Sequence, residues 1–388
     1  MKNIKAIGVA FVLFLVTVAG LKIVARNTMP ENSVDYGTWD SSSKYASTRG
    51  IDSMLNDSQS MLVLGSSELT HCHGSGFQGD SIYQNTDMKP IFIGAGGYQS
   101  LYHTILMGAV GNNIKNKKVV ISVSPQWFKP TGVRKDAFGN SYSESHLIAF
   151  LKNKNVSKET KEYVISRIET LTADNPVMWD RVQNDVKWYM DGGSNGIDQI
   201  RKGIHSYLVN DKSEMKLFLT SFVKGKLRDD SHGKKKKDID WNGLYKEAEK
   251  QGKHLVGNNK YGMYKRIYKR RLKSKVEGHR IKNLDYRLDS IEFKDLQCFL
   301  DVCKQEGIEV MMVMQPLNGR WSDFAGYPKE KREKLYEKVR KLAQKNNVQL
   351  TDLSGIEYGK YMFEDDSHLG LKGLVNFNEQ IYKFYKQN

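Results

Sequence analysis

Apolar residues in this chain recur in two patterns: short unbroken runs closed by glycine, serine or proline, and longer stretches spaced three and four apart. The first pattern predicts buried strands at residues 61–64, 91–93, 119–123 and 308–314, with a shorter one at 348–350. The second predicts helices over 101–110, 158–171, 179–189, 217–222, 244–252 and 329–344. It also predicts a helix over 290–307 carrying Phe293, Leu296, Phe299 and Leu300, and a terminal helix from Gly370 or Leu371 to about Phe384. Strand, helix and strand at this spacing argue for an α/β class with a central, mostly parallel sheet. From residues 140 to 282 the pattern becomes long, charged and aromatic, which reads as a helical insertion or cap. Residues 315–321 read as a loop beside the other strand ends, and 352–363 as largely irregular.

Before the first strand the pattern is different again. Lys2 and Lys5 precede an uncharged run over residues 6–21, and Lys22 can snorkel so that the apolar segment continues through Ala25. Residues 1–26 therefore read as an amino-terminal transmembrane helix with its positive end in the cytoplasm, leaving the folded body extracytoplasmic at the cell membrane. The competing reading is a removable signal peptide, for which Thr17-Val18-Ala19 is a passable cleavage context. Residues 27–55, with Pro30 and three consecutive serines at 41–43, read as a polar stalk, and 56–388 as the folded domain.

Charge changes this picture more than composition does. Sixty Lys and Arg against 44 Asp and Glu leave a formal +16, which favours anionic surroundings. Export turns that preference away from nucleic acid and toward an anionic membrane surface or an acidic polymer. Lys234–Lys237 and the run from Lys265 to Lys275, interleaved with Tyr261, Tyr264 and Tyr268, are the densest basic part; the plain alternative is a basic helix whose tyrosines pack inward. Three cysteines, Cys72, Cys298 and Cys303, lack any repeated Cys-x-x-Cys spacing and are expected as free thiols.

Candidate chemistry sits at strand ends. Residues 61–64 run into Gly65-Ser66-Ser67, a sharp exit that can hold a hydroxyl at the carboxyl edge of a sheet. About three hundred residues later, Asp365 and His368 supply an acid and a base three positions apart. A serine hydroxyl needs such a base to take its proton during attack, and a carboxylate holds the imidazole tautomer. Ser67, His368 and Asp365 are the expected nucleophile, base and acid. Ser66 could be the exposed hydroxyl instead, Asp366 could orient the histidine, and His71 or His73 could act nearby. Gly96 and Gly97 end the second strand where amides could face an oxygen anion. Trp127 and Phe128 end the third strand and could wall a pocket or simply fill core. His71-Cys72-His73 lacks a clear third ligand, so no metal site is expected there, and the chemistry needs no cofactor.

These blocks resemble the SGNH or GDSL superfamily of serine hydrolases and acyltransferases, and more closely the DltD family of exported lipoteichoic acid D-alanylation proteins. The resemblance rests on Gly65-Ser66-Ser67-Glu68-Leu69, Gly94-x-Gly96-Gly97-Tyr98-Gln99-Ser100, Ser124-Pro125-Gln126-Trp127-Phe128, Gln315 to Trp321 and Asp365-x-x-His368, in order over almost the whole chain. It implies an SGNH-like three-layer α/β fold and transfer of D-alanyl groups onto teichoic or lipoteichoic acid outside the membrane. It also implies a D-alanyl donor, and partners among the membrane D-alanylation components, including the acyltransferase DltB. By the same resemblance Ser67, Asp365 and His368 match nucleophile, acid and base, and Gly97 lies in the oxyanion-hole region. The third strand ends in Ser-Pro-Gln-Trp-Phe, so the superfamily's Gly-x-Asn-Asp block is missing and its oxyanion asparagine has no counterpart. The alternatives are a D-alanyl carrier protein thioesterase, a cell-envelope esterase, and a non-catalytic teichoic-acid-binding scaffold.

Overall fold

In the computed structural model, residues 2–28, 48–72, 74–190, 196–224, 238–279, 281 and 283–387 are described. Five strands form one sheet: β1 (Ser60–Leu64), β2 (Lys89–Ile93), β3 (Lys118–Val123), β4 (Glu309–Met314) and β5 (Gln349–Asp352). Their order is β2-β1-β3-β4-β5 and every pairing is parallel, so the α/β class with a central parallel sheet is the observed one. Parallel strands are covered on both faces, and these alternate strictly between two cores. Leu62, Leu64, Ile91, Ile93, Val119 and Ile121 enter one cluster, whereas Met61, Val63, Phe92, Val120, Met311 and Val313 enter the other.

Helices Ser100–Val110, Glu292–Gln305 and Lys329–Lys345 fill the first face. Ser100–Val110 is buried almost all round, because further helices lie over it. At its crossing with helix Glu144–Lys152, a Cβ on Gly108 would fall 2.2 Å from Phe150 Cδ2, so only glycine allows this approach. The second face is covered by the terminal helix Leu371–Lys386, against which helix Trp241–Val256 packs.

Three expectations are revised. The stretch expected as a stalk to residue 55 instead ends in helix Thr48–Leu55, whose Ile51 and Leu55 are fully buried in the first core. Its polar residues disguise a short amphipathic face; residues 29–47 lie outside the described residues. The segment 140–282 is helical but is not one cap. Glu144–Lys152, Lys158–Thr172 and Pro176–Asp185 join the first core, whereas Trp241–Val256 packs in a separate cluster with Tyr264, Ile267, Leu371 and Val375 on the side of the second face. Periodicity shows that a helix has an apolar face, not which sheet face receives it. The loop expected over 315–321 closes at Asn318, whose side chain caps helix Gly319–Phe324. Helix Lys2–Thr28 contains a stretch, Lys5–Val24, long and apolar enough to cross a membrane.

Gly108→Ala is expected to lower the denaturant midpoint by an amount equivalent to about 1–3 kcal/mol, because the Phe150 ring must give way. Chemical denaturation of the detergent-solubilised chain measures this, and an unchanged midpoint would show that the two helices can separate without cost.

Candidate active site

The strand order reverses between β1 and β3, which opens a crevice at their carboxyl ends. The Gly65 amide still donates to Ile93 O at 3.1 Å, extending the ladder by one residue. The chain then turns through a single 3-10 turn, Ser67–Leu69. This turn separates the two serines. Ser66 is buried, donates from Oγ to Ala95 O (3.1 Å) and accepts the Gly97 amide (3.2 Å), stapling the turn after β1 to the turn after β2. Gly97 itself has φ +90°, and a Cβ there would sit 2.5 Å from Ala137 Cβ. Ser67 Oγ instead lies 2.7 Å from His368 Nε2.

His368 comes from the loop before the terminal helix, folded on itself by the antiparallel bridge Phe363–Leu369 and the Glu364 amide to His368 O. Asp365 Oδ1 accepts the amides of Ser367 (2.9 Å) and His368 (2.8 Å), while His368 Nδ1 meets both carboxylate oxygens at 2.9–3.0 Å. Asp365 is thus the acid aligned with the imidazole. Asp366 turns to a separate cavity of about 570 Å³ bordered by Leu272, Ile281, Leu284 and Trp321. Asn318 holds the loop from the β4 side: its Nδ2 donates to Asp365 O (3.2 Å) and Tyr261 O (2.9 Å), and its amide to Asp366 O. Arg271 Nη1 approaches Asp365 Oδ2 at 3.3 Å.

Burial opposes ionisation of Asp365, yet the His368 hydrogen bond and charge and the Ser367 amide together hold its carboxyl well below the usual range. Burial also works against a charged His368, but the hydrogen bond and charge of Asp365, with Glu68 and Asp366 adding, raise its pKa overall. Glu68, buried beside Ser67, is pushed up by burial despite accepting the Ser66 amide at 2.9 Å. The His71 ring stacks on His368 with centroids 3.6 Å apart and 9° between planes. Its Nδ1 is 3.0 Å from Glu364 Oε2, which also accepts from Cys72 Sγ at 3.1 Å. His71, Asp365 and His368 lie close enough to share a metal ion, as do Glu144, Asp185 and His205. In the first group both His368 nitrogens are already engaged, by Ser67 and Asp365. His73 and Lys234–Lys237 lie outside the described residues.

On the open side of Ser67 lies a cavity of about 190 Å³, lined among others by Ser66, Gly97, Gln99, Gln126, Trp127 and Lys129. Trp127 is both core and wall, being buried and yet bordering this space, whereas Phe128 packs on Phe293. Gln99 Oε1 is buried with no hydrogen-bond partner among the described residues.

Sequence reasoning missed Arg271, which reads only as one of many cations, and Asn318, whose signal is a cap position before a helix. It also missed Glu292, whose carboxylate reaches across from another helix to accept the Ser100 amide (3.0 Å) after the glycine turn. Nothing in the local pattern around Glu292 points to that contact.

Known proteins resemble this chain along most of its length. The profile of the DltD family, described as DltD protein, matches residues 40–386. Protein DltD of Bacillus subtilis (strain 168) is 32% identical over 345 residues, 86% of this chain and 84% of that protein. Protein DltD of Staphylococcus aureus (strain NCTC 8325 / PS 47) is 28% identical over 307 residues, covering 78% and 75% of the two chains. Protein DltD of Lacticaseibacillus rhamnosus is 26% identical over 336 residues, covering 83% and 77%.

If His368 serves as base, it works only when neutral, and its raised pKa moves that condition to higher pH. Labelling of Ser67 by a fluorophosphonate is expected to fall on the acid side through a midpoint above the ordinary histidine value of about 6.5. Asp365→Asn should slow labelling and shift that midpoint downward. A wild-type midpoint at or below the ordinary value would refute this electrostatic picture.

Proposed function

The chain belongs to the DltD family, and we propose that it transfers D-alanyl groups to teichoic acid outside the membrane through an acyl-serine formed on Ser67. The observation that carries this reading is the continuous chain of contacts from Ser67 Oγ to His368 Nε2 and from His368 Nδ1 to Asp365. In the first half-reaction Ser67 Oγ attacks the carbonyl carbon of a D-alanyl ester or thioester while its proton passes to Nε2. The tetrahedral intermediate collapses, the donor's alcohol or thiol leaves with that proton, and an alanyl ester remains on Ser67. In the second, a polymer hydroxyl gives its proton to Nε2 and attacks the same carbonyl. Collapse then returns the proton to Ser67 and leaves the alanyl ester on the polymer. Asp365 keeps Nδ1 protonated and stabilises the imidazolium in both halves. The Ser67 and Gly97 amides are the proposed oxyanion donors. Because the Gly97 amide donates to Ser66 Oγ, it must exchange that partner for the developing anion.

The cavity beside Ser67 suits a small acyl group. Gln99, which borders it, offers a buried oxygen without a partner among the described residues, a fitting acceptor for the alanyl ammonium. Lys129 and Arg134 border the same space and, with the net positive charge of the chain, would attract a phosphate-rich acceptor. Anchoring by helix Lys2–Thr28 with Lys2 and Lys5 on the cytoplasmic side would put the site where that polymer is found. Membrane-embedded D-alanylation components, DltB among them, are the proposed partners for delivery of the donor.

Full-length protein incubated with an activated D-alanyl donor and teichoic acid should carry one alanyl group on Ser67 by mass spectrometry and yield alanylated polymer. Ser67→Ala should lose both, by roughly 10³-fold or more in rate. Alanine released only to water would favour an esterase or thioesterase, and unchanged polymer alanylation by Ser67→Ala would favour a scaffold. Gln99→Leu is expected to reduce preference for alanyl over propionyl donors by about tenfold, read as a ratio of kcat/KM values. An unchanged ratio would remove Gln99 from substrate recognition.

A further inference from the structure

Over residues 197–209, helix Gly196–Lys224 turns Asp198, His205 and Val209 toward the body and a row of large apolar side chains outward, the reverse of the usual arrangement on a water-soluble protein. Asp198 is buried and pairs with Lys187 at 3.5 Å, and His205 sits between Glu144 (3.2 Å) and Asp185 (3.7 Å). Val209 beside them enters the first core. On the other side Ile197, Ile200, Ile204, Tyr207 and Leu208 recur at intervals of three and four, each between 55% and 65% exposed. Five large apolar side chains in one stripe form a surface that water disfavours and that needs a cover.

The neighbouring element identifies the cover. Tyr207 receives a hydrogen bond from Lys22 Nζ (2.7 Å), which also lies 4.5 Å from its ring centroid. Lys22 stands near the carboxyl end of the apolar stretch Lys5–Val24, beside the exposed Leu21 and Ile23. The isoleucine stripe is therefore continuous with the surface that would face lipid. A tyrosine and a snorkelling lysine meeting at that junction are the pair expected at a membrane–water boundary. Arg201 and Lys212, exposed on this helix, add the positive charge that favours anionic headgroups.

We propose that helix Gly196–Lys224 lies in the bilayer interface on the side where the apolar stretch ends, with Ile197, Ile200, Ile204 and Leu208 inserted among acyl chains. The helix and the anchor then hold the body at two places, which fixes its tilt and the height of the Ser67 crevice above the membrane. This rests on helix Lys2–Thr28 spanning the bilayer and is independent of the acyl-transfer chemistry.

The test uses purified full-length protein in vesicles of phosphatidylglycerol and phosphatidylethanolamine, with an NBD label at Ile200→Cys or Ile204→Cys and, as a control on the body, at Lys341→Cys. Wild type taken through the same labelling corrects for the native thiols. Brominated acyl chains are expected to quench more than about half of the signal at the two helix positions and little at the control. Quenching no greater than at the control, in protein that resists carbonate extraction, would overturn the proposal while leaving the anchor standing. Extraction by carbonate would remove the anchor itself, and the proposal with it. A helix signal that is shielded only at high protein density would show that a second copy covers the stripe, and shielding that needs an added membrane protein would assign it to a partner. Either result overturns lipid insertion. Ser67 acylation is read separately by mass spectrometry, so failure of one reading is distinguishable from failure of the other.

Discussion

Parallel pairing is the constraint on which the rest of this structure depends. Because all five strands run the same way, every one of them ends at the same edge of the sheet. The turns after β1, β2, β3 and β4 therefore meet although they are far apart in sequence. Register does the fine positioning. Leu62 pairs with Ile91 on one side and Val119 on the other. A slip of one residue in β1 would exchange Leu62 and Leu64 with Met61 and Val63 between two different cores, and the packing on both faces resists it. The position of Ser67 is consequently set by hydrophobic burial three to six residues upstream as much as by its own contacts.

That division explains what could be read from the sequence. Strands and the helices at Lys158–Thr172, Glu292–Gln305 and Lys329–Lys345 announce themselves by apolar spacing, which is a local property. The glycine-serine exit of β1 and the Asp365-x-x-His368 pair are legible because their chemistry needs those residue types. Contacts made by side chains reaching across elements are not legible. Glu292 holds the amide of Ser100, and Arg332, fully buried, ties Glu357 to Asp323; neither has a neighbourhood that says so. The segment 140–282 failed to declare its division for the same reason, since an apolar face does not name its partner.

The basic stretch around residues 261–275 shows how charge can mask a structural task. Tyr261 and Tyr264 point inward, as the plainer of the two sequence readings had it. Tyr264 OH accepts the amide of Leu371 and its own amide donates to Glu364 O, while Tyr261 O accepts from Asn318. With Arg271 near Asp365, this stretch braces the loop that carries Asp365 and His368. Its cations stay at the surface, free to interact with anions, because the tyrosines between them do the packing.

Ser67 and His368 are 301 positions apart, yet their side chains touch. A chain emerging from synthesis thus presents its hydroxyl long before the imidazole exists, and the two can be brought together only after all of the intervening polypeptide has been made. Closing so long a loop is slow compared with local helix formation. Assembly of this pair is consequently a report that folding has finished, and a chain truncated anywhere before its last twenty or so residues carries an ordinary serine.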